Sequence, residues 1–251
     1  MLDRAMKDRT SAVIDRKLSL SDPWYQLIIR MLKTVIFEFK GKRILEIGCG
    51  FGGFCIFVAN TGGYAIGVDI SSASIHKAKD LANQMGVKGL TDFVIGDACF
   101  LPFKDQSNEI VVCSETLEHI ESYEKAFNEL VRVTSKLGYL CLTVPNLLST
   151  SFFEFLILLL VGQPQYIKKQ ACLEKEHVFH IFKLRRLLGK RYLRIIMVQS
   201  TDFLHLPPLV RRALKLDHVL RTISTQIEHY SVKHNLPFRF FGANIGVLAQ
   251  K

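Results

Sequence analysis

The sequence predicts an α/β protein built on a parallel sheet covered on both faces. Three observations carry this. Short apolar runs of five to eight residues alternate with segments of helical periodicity between residues 41 and 146. The first of those runs leads into a glycine cluster, EIGCGFGG. The next ones close on acidic residues, Asp69 and Asp97. A chain of 251 residues, 49% of them apolar, is long enough to bury the core such a sheet requires.

The elements follow in order. SDPWYQLIIRMLKTVIFEF opens with Ser21 or Asp22 as helix cap and Pro23 at the first helical position, and its apolar residues recur at helical spacing. KRILEIGCG reads as a buried strand and a glycine turn, and GFCIFVANTG as a helix stopped by Gly62 and Gly63. YAIGVDIS is a second strand, and SASIHKAKDLANQMG a helix with Gly86 as its C-terminal stop. DFVIGDA is a third strand ending on Asp97, and EIVVCSE a fourth. SYEKAFNELVRVTSKLG reads as an amphipathic helix running to Gly138, and YLCLTVPN as a fifth strand. After Pro145 the rhythm breaks. The apolar window FFEFLILLLV, residues 152–161, precedes Lys168 and Lys169. RYLRIIMVQSTDF reads as a strand, PPLVRRALKLDHVLRTISTQIEHY as a helix and FFGANIGVLAQK as a last strand.

The organisation expected is one domain over residues 1–251. Residues 1–40 form an N-terminal helical segment and 41–146 a cofactor-binding core. Residues 147–190 form a hydrophobic and basic insertion on the substrate side, and 191–251 complete the sheet.

Charge is uneven along the chain. Residues 41–145 carry 9 basic and 12 acidic side chains, a balance of −3, whereas residues 146–251 carry 16 and 6, a balance of +10. A basic C-terminal half suits an anionic partner, such as a phospholipid surface, nucleic acid or an acidic substrate, although a solvated basic face has the same composition. Six cysteines without a CxxC pair read as packed thiols of a cytoplasmic protein. The N-terminal residues lack the apolar core of a secretory signal. The 152–161 window is too short for a membrane span, which takes about 20 residues.

Glycines at positions 48, 50, 52 and 53 let the chain turn tightly after a strand and bring backbone N–H groups close to a ligand. The spacing fits both GxGxG and GxGxxG, so on its own it separates neither a methyl-donor site from a nicotinamide site nor either from a structural turn. Asp69 follows Gly50 by 19 residues, where an acid can accept both hydroxyls of a ribose. Asp97, with Ala98 beside it and Leu101-Pro102-Phe103 ahead, can accept from an adenine amino group; otherwise it caps the next turn.

Taken together, EIGCGFGG, VDIS, GDACFLPF and SETLEHI resemble the successive motifs of the class I S-adenosylmethionine-dependent methyltransferases, type 11-like, across residues 41–146. The resemblance implies a Rossmann-like three-layer sandwich. Its seven-stranded sheet is mostly parallel, with an antiparallel last strand. It implies that Glu46 and the Gly48–Cys49–Gly50–Gly52 turn hold the methionine part of the cofactor. Asp69 would hold the ribose, Ile70 would lie against the adenine, Asp97 and Ala98 would meet the adenine edge, and Ser114 would lie near the sulfonium.

SETLEHIE adds a narrower likeness. If a helix starts at the exit of the fourth strand, Glu115, Glu118 and His119 share one face. The ExxEH spacing, with His177 and His180 downstream, is similar to the ubiquinone-biosynthesis O-methyltransferases and to the small-RNA 3′-end 2′-O-methyltransferases. That likeness implies a divalent metal, Mg²⁺ or Zn²⁺, on Glu115, Glu118, His119 and His177, lowering the pKa of an acceptor hydroxyl. It leaves His119 and His180 as candidate catalytic bases. A solvated first turn favoured by the helix dipole would need the same residues. The expected function is methyl transfer to a small, apolar or lipid-like acceptor at a hydroxyl oxygen, with peripheral contact to an anionic membrane. An RNA methyltransferase and a non-catalytic partner-binding protein are the alternatives.

Overall fold

Side-chain alternation in the strands divides the core in two. The computed structural model describes residues 23–146, 177–201, 223, 226–227 and 240–251. In β1 (Arg43–Ile47), Ile44 joins the core on one side of the sheet while Leu45 and Ile47 join the other. In β4 (Asn108–Ser114), Ile110 and Val112 face the first side, and Val111 and Cys113 the second. Strands buried on both faces read as unbroken apolar runs, which is why ILEI and IVVC carry no polar alternation.

The first side is covered by α1 (Pro23–Leu32), α2 (Gly53–Asn60) and α3 (Ser72–Gln84). The second is covered by α4 (Tyr123–Val133) and α5 (Ile181–Gly189). With β2 (Tyr64–Asp69), β3 (Thr91–Ile95), β5 (Thr134–Pro145), β6 (Arg194–Thr201) and β7 (Asn244–Gln250), the sheet has seven strands in the order β3-β2-β1-β4-β5-β7-β6. The first five pair in parallel, and β7 runs antiparallel to both β5 and β6. This is the sandwich that the motif resemblance implied, with FFGANIGVLAQK supplying the antiparallel strand. Helix α1 lies across the β7 side, where Leu27 and Met31 press against Gly246.

Three local expectations are corrected. Helix α4 stops at Val133 instead of running to Gly138, and Thr134 already pairs with Asn108 before the register jumps to Tyr139 opposite Ile110. Lys251 and the Thr134 hydroxyl, which donates to Leu130 O, cap the helix where it stops. Lys251 Nζ donates to the carbonyls of Val131 and Thr134, and the Lys251 backbone bonds Leu137 N and Gly138 O, so the carbonyls that would continue the helix are taken. Strand β3 ends at Ile95, two residues short of Asp97. The chain after β4 does not form an α-helix: Glu115 has φ +44°, and only a 3₁₀ turn follows, Leu117–His119.

The five described cysteines are buried and unbridged. Among the described residues no helix is long and apolar enough to cross a membrane. The Ser21 and Asp22 cap, the 152–161 apolar segment with Lys168 and Lys169, and nearly all of the helix expected over 207–230 lie outside the described residues.

Candidate cofactor site

Parallel strands end on one edge of the sheet, and the sequence-predicted residues gather where β1, β2 and β4 end. The turn after β1 is held from beneath by β2: Gly48 N and Cys49 N both donate to Val68 O, at 2.8 and 3.0 Å. Gly48 has φ +74°, and a Cβ there would sit 2.1 Å from Thr116 Oγ1, so this glycine serves the fit of the turn against the β4 exit. Gly50 differs. It has φ +51°, yet a Cβ built on it meets nothing within 4 Å, so the turn opens onto free space at that residue. Gly52 caps α2 against the Phe93 ring.

Asp69 braces this turn. Its Oδ2 accepts from Gly50 N at 2.8 Å and its Oδ1 from Ser71 N at 2.9 Å, tying the β1 turn to the start of α3. A carboxylate has about four acceptor positions, so two bonds leave capacity for ribose hydroxyls. Next to it Ile70 is 73% exposed, an apolar surface that a flat ring would cover.

Glu46 is the most informative residue. It is fully buried at the end of β1. Its Oε2 accepts the Cys55 thiol at 3.0 Å, while its Oε1 lies buried without a hydrogen-bond partner. Burial pushes its pKa from 4.5 up to about 8; the Cys55 thiol opposes this and the nearby Asp69 charge adds to it. An orphaned buried carboxylate oxygen beside an open glycine turn suits a ligand that brings its own cation or donor.

The remaining predicted residues are placed as follows. The Cys49 side chain is buried in the core against Gly67, leaving only its backbone to serve a ligand. Asp97 caps the turn after β3, its Oδ1 accepting from Cys99 N at 2.8 Å, with Ala98 half-buried beside it. Ser114 is buried and its hydroxyl pairs with Thr143 Oγ1 at 2.9 Å.

The ExxEH residues do not converge into a metal site. Glu115 Oε2 accepts from Asn244 Nδ2 at 2.6 Å, across the sheet on β7. Glu118 is buried, and its Oε1 lies 3.8 Å from the exposed His119 ring. His177 gives its ring Nε2 to Glu121 O at 2.9 Å and packs on Tyr123. Among the described residues no group of three or more His, Cys, Asp or Glu is placed to hold a metal ion. The reason is local: the left-handed Glu115 breaks the helical spacing that would have aligned 115, 118 and 119. His180 caps α5, its Nδ1 accepting from Lys183 N at 3.3 Å.

Sequence reasoning missed Thr116, Thr143 and Asn244, which lock the β4 exit. It also missed Glu129 and Arg132 on α4. Glu129 accepts from Leu101 N, and Arg132 donates to the Leu101 and Phe103 carbonyls and to Asp105, which clamps the segment after β3. Only the i,i+3 spacing of Glu129 and Arg132 is visible in the chain, and it names no partner.

The chain is similar to known methyltransferases. The model of a methyltransferase domain family matches residues 45–142. Over 97 residues the chain is 36% identical to norajmaline N-methyltransferase of Rauvolfia serpentina, covering 38% of this chain and 33% of that protein. Over 102 residues it is 33% identical to the chloroplastic tocopherol O-methyltransferase of Arabidopsis thaliana, covering 40% of this chain and 29% of that one. The matched stretch thus spans about a third of these relatives' length. In fold, it superposes on the magnesium protoporphyrin IX methyltransferase of Synechocystis, solved with bound SAH. The TM-score is 0.60 at 15% identity, covering 90% of this chain and 82% of that one. The sheet order is that of a methyltransferase fold, and residues 45–142, which include the glycine turn and the braced acid, are what match the methyltransferase domain family.

Proposed function

We propose that the protein transfers a methyl group from S-adenosylmethionine to a small, apolar or lipid-like acceptor, at a hydroxyl oxygen. The observation that carries the cofactor half is Glu46 Oε1, buried and unpartnered beside the opening at Gly50. Glu46 and the Gly48–Gly50 backbone hold the methionine part, Asp69 the ribose, and Ile70, Asp97 and Ala98 the adenine. When bound, the cofactor supplies an electrophilic methyl carbon on a sulfonium.

The protein's own task is alignment and exclusion of water. Ser114 and Thr143 form a hydroxyl pair that fixes the end of β4 against β5. Glu115 and Asn244 fix the next residue against β7. His119, exposed on the turn that follows, takes the proton that the acceptor hydroxyl loses. The relatives are named for N-methylation of norajmaline in one case and O-methylation of tocopherol in the other, which supports a small organic acceptor. The apolar 152–161 segment supports a greasy one, met at an anionic membrane surface by a cytoplasmic protein.

Calorimetric titration with S-adenosylhomocysteine tests the cofactor half. The expected result is micromolar binding that Asp69→Ala weakens at least tenfold, because the ribose acceptor and the tie between the glycine turn and the start of α3 are lost. Absence of binding by the parent protein refutes the reading. Methyl transfer to a panel of phenols and prenylated phenols, set against amines, tests the acceptor half.

A further inference from the structure

The sequence places one acid inside the apolar strand RILEI and one thiol inside the apolar helix GFCIFVAN that follows the glycine turn. The fold joins them. Cys55 Sγ donates to Glu46 Oε2 at 3.0 Å, and both side chains are fully buried. Cys55 stands in the first turn of α2, where backbone N–H groups have no partner inside the helix. Its thiol and its backbone N–H both favour the ionised form of Glu46. Burial outweighs them and lifts the carboxyl pKa to about 8.

Packing alone does not explain this acid. A buried structural carboxyl would use both oxygens, whereas Oε1 of Glu46 is buried with no hydrogen-bond partner. The titratable groups around it offer no positive charge. Cys55 reaches it from α2, Cys49 from the glycine turn, Asp69 from β2 and Cys113 from β4. The three thiols are pushed up by burial and stay neutral, and the Asp69 carboxylate repels a second anion. Beyond Cys113 the β4 exit adds two more acids, Glu115 and Glu118. Helix α1, on the same side of the sheet, carries Tyr25 and Arg30. Among the described residues, none of the groups acting on Glu46 is a cation.

We propose that Glu46 is a proton-exchange seat for the ammonium group on the methionine part of the cofactor, with Cys55 as the residue that positions it. This rests on the S-adenosylmethionine reading of the site. Before the ligand arrives, Glu46 holds a proton. When the ammonium approaches Oε1, the carboxyl O–H bond breaks, the proton leaves to solvent, and a carboxylate–ammonium pair remains. The ammonium keeps its own protons. The Cys55 thiol occupies Oε2 and leaves Oε1 as the oxygen for the ligand. Cofactor capture is then coupled to proton release, and affinity falls as pH drops below the folded value of Glu46.

Calorimetry of S-adenosylhomocysteine binding, in buffers of different ionisation enthalpy, counts the protons exchanged. With a folded value of about 8, roughly nine tenths of a proton should leave per ligand bound at neutral pH. Affinity should rise roughly tenfold between about pH 6 and pH 7 and level off above about 8. Methylthioadenosine, which has the adenosine and the sulfur but no ammonium, should bind without releasing a proton. Glu46→Gln should bind S-adenosylhomocysteine more weakly and release none. Cys55→Ala removes a group that holds the Glu46 pKa down, so the pH at which affinity levels off should move up, and Cys55→Ser, which keeps a donor, should move it back. A purely structural role for Cys55 would shift melting temperature and leave that pH unchanged. Binding of S-adenosylhomocysteine by the parent protein without proton release, or equal release with methylthioadenosine or in Glu46→Gln, overturns this proposal alone. Absence of S-adenosylhomocysteine binding overturns the cofactor reading and this proposal with it.

Discussion

Glu46→Gln isolates the electrostatic cost of the cofactor site. In the folded protein the Glu46 pKa rises from 4.5 to about 8 because the carboxyl is wholly buried. A raised folded value means that the native state prefers the protonated form. The stability tied to this group is therefore intact below pH 4.5 and is lost as pH climbs through about 8. At neutral pH the chain sits about 2.5 pH units above the unfolded value, at about 1.36 kcal/mol per unit, so keeping the proton costs roughly 3 kcal/mol.

Glutamine has the same shape, retains an oxygen for the Cys55 thiol and does not titrate. Its buried amide leaves N–H groups in want of partners, at about 1–3 kcal/mol, but that cost is constant with pH. The stability of Glu46→Gln relative to the parent should thus improve by roughly 3 kcal/mol between about pH 4.5 and pH 7. Urea unfolding followed by circular dichroism, without cofactor, at several pH values in that range measures it. Parallel profiles for the two proteins, within about 0.5 kcal/mol, would refute the reasoning. The same substitution should weaken S-adenosylhomocysteine binding. A variant that is more stable and binds less is the signature of a group held at a cost for its ligand.

Other consequences are as direct. Gly48→Ala should destabilise by about 2–4 kcal/mol in urea unfolding, since its Cβ would fall 2.1 Å from Thr116 Oγ1 in a left-handed turn. Gly50→Ala, which meets nothing, should cost only about 1–2 kcal/mol of stability, yet weaken S-adenosylhomocysteine binding measured by calorimetry. Arg132→Met should cost about 2–3 kcal/mol by leaving Glu129, Asp105 and two carbonyls unpaired. Glu129 has its pKa lowered, chiefly by the Arg132 hydrogen bond, so its contribution is present above 4.5 and fades as pH falls through the folded value. Arg132→Met should flatten that acid limb of the stability profile. Asn244→Asp, which puts a second carboxylate 2.6 Å from Glu115, should lower the melting temperature at neutral pH and recover part of it in acid.

What could be read directly from the chain was whatever local chemistry repeats. Five apolar runs, the helical periods between them, the glycine turn and the acids after β2 and β3 specify a parallel α/β sheet with a nucleotide-type site at its strand ends. Each depends on neighbours a few residues away, and the sheet stands as read except for the exact ends of β3, β5 and α4. Interactions between distant residues were not legible. Nothing in SETLEHIE announces that Glu115 turns left-handed, nor that its carboxylate meets Asn244, 129 residues on. Nothing in the periodicity of NELVRVTSKLG indicates that Lys251 will meet the last carbonyls of α4. Residue spacing sets which groups could share a face, but backbone dihedrals and cross-sheet pairing decide which of them do. Those depend on the free energy of the whole packed sheet, to which residues more than a hundred positions apart contribute together.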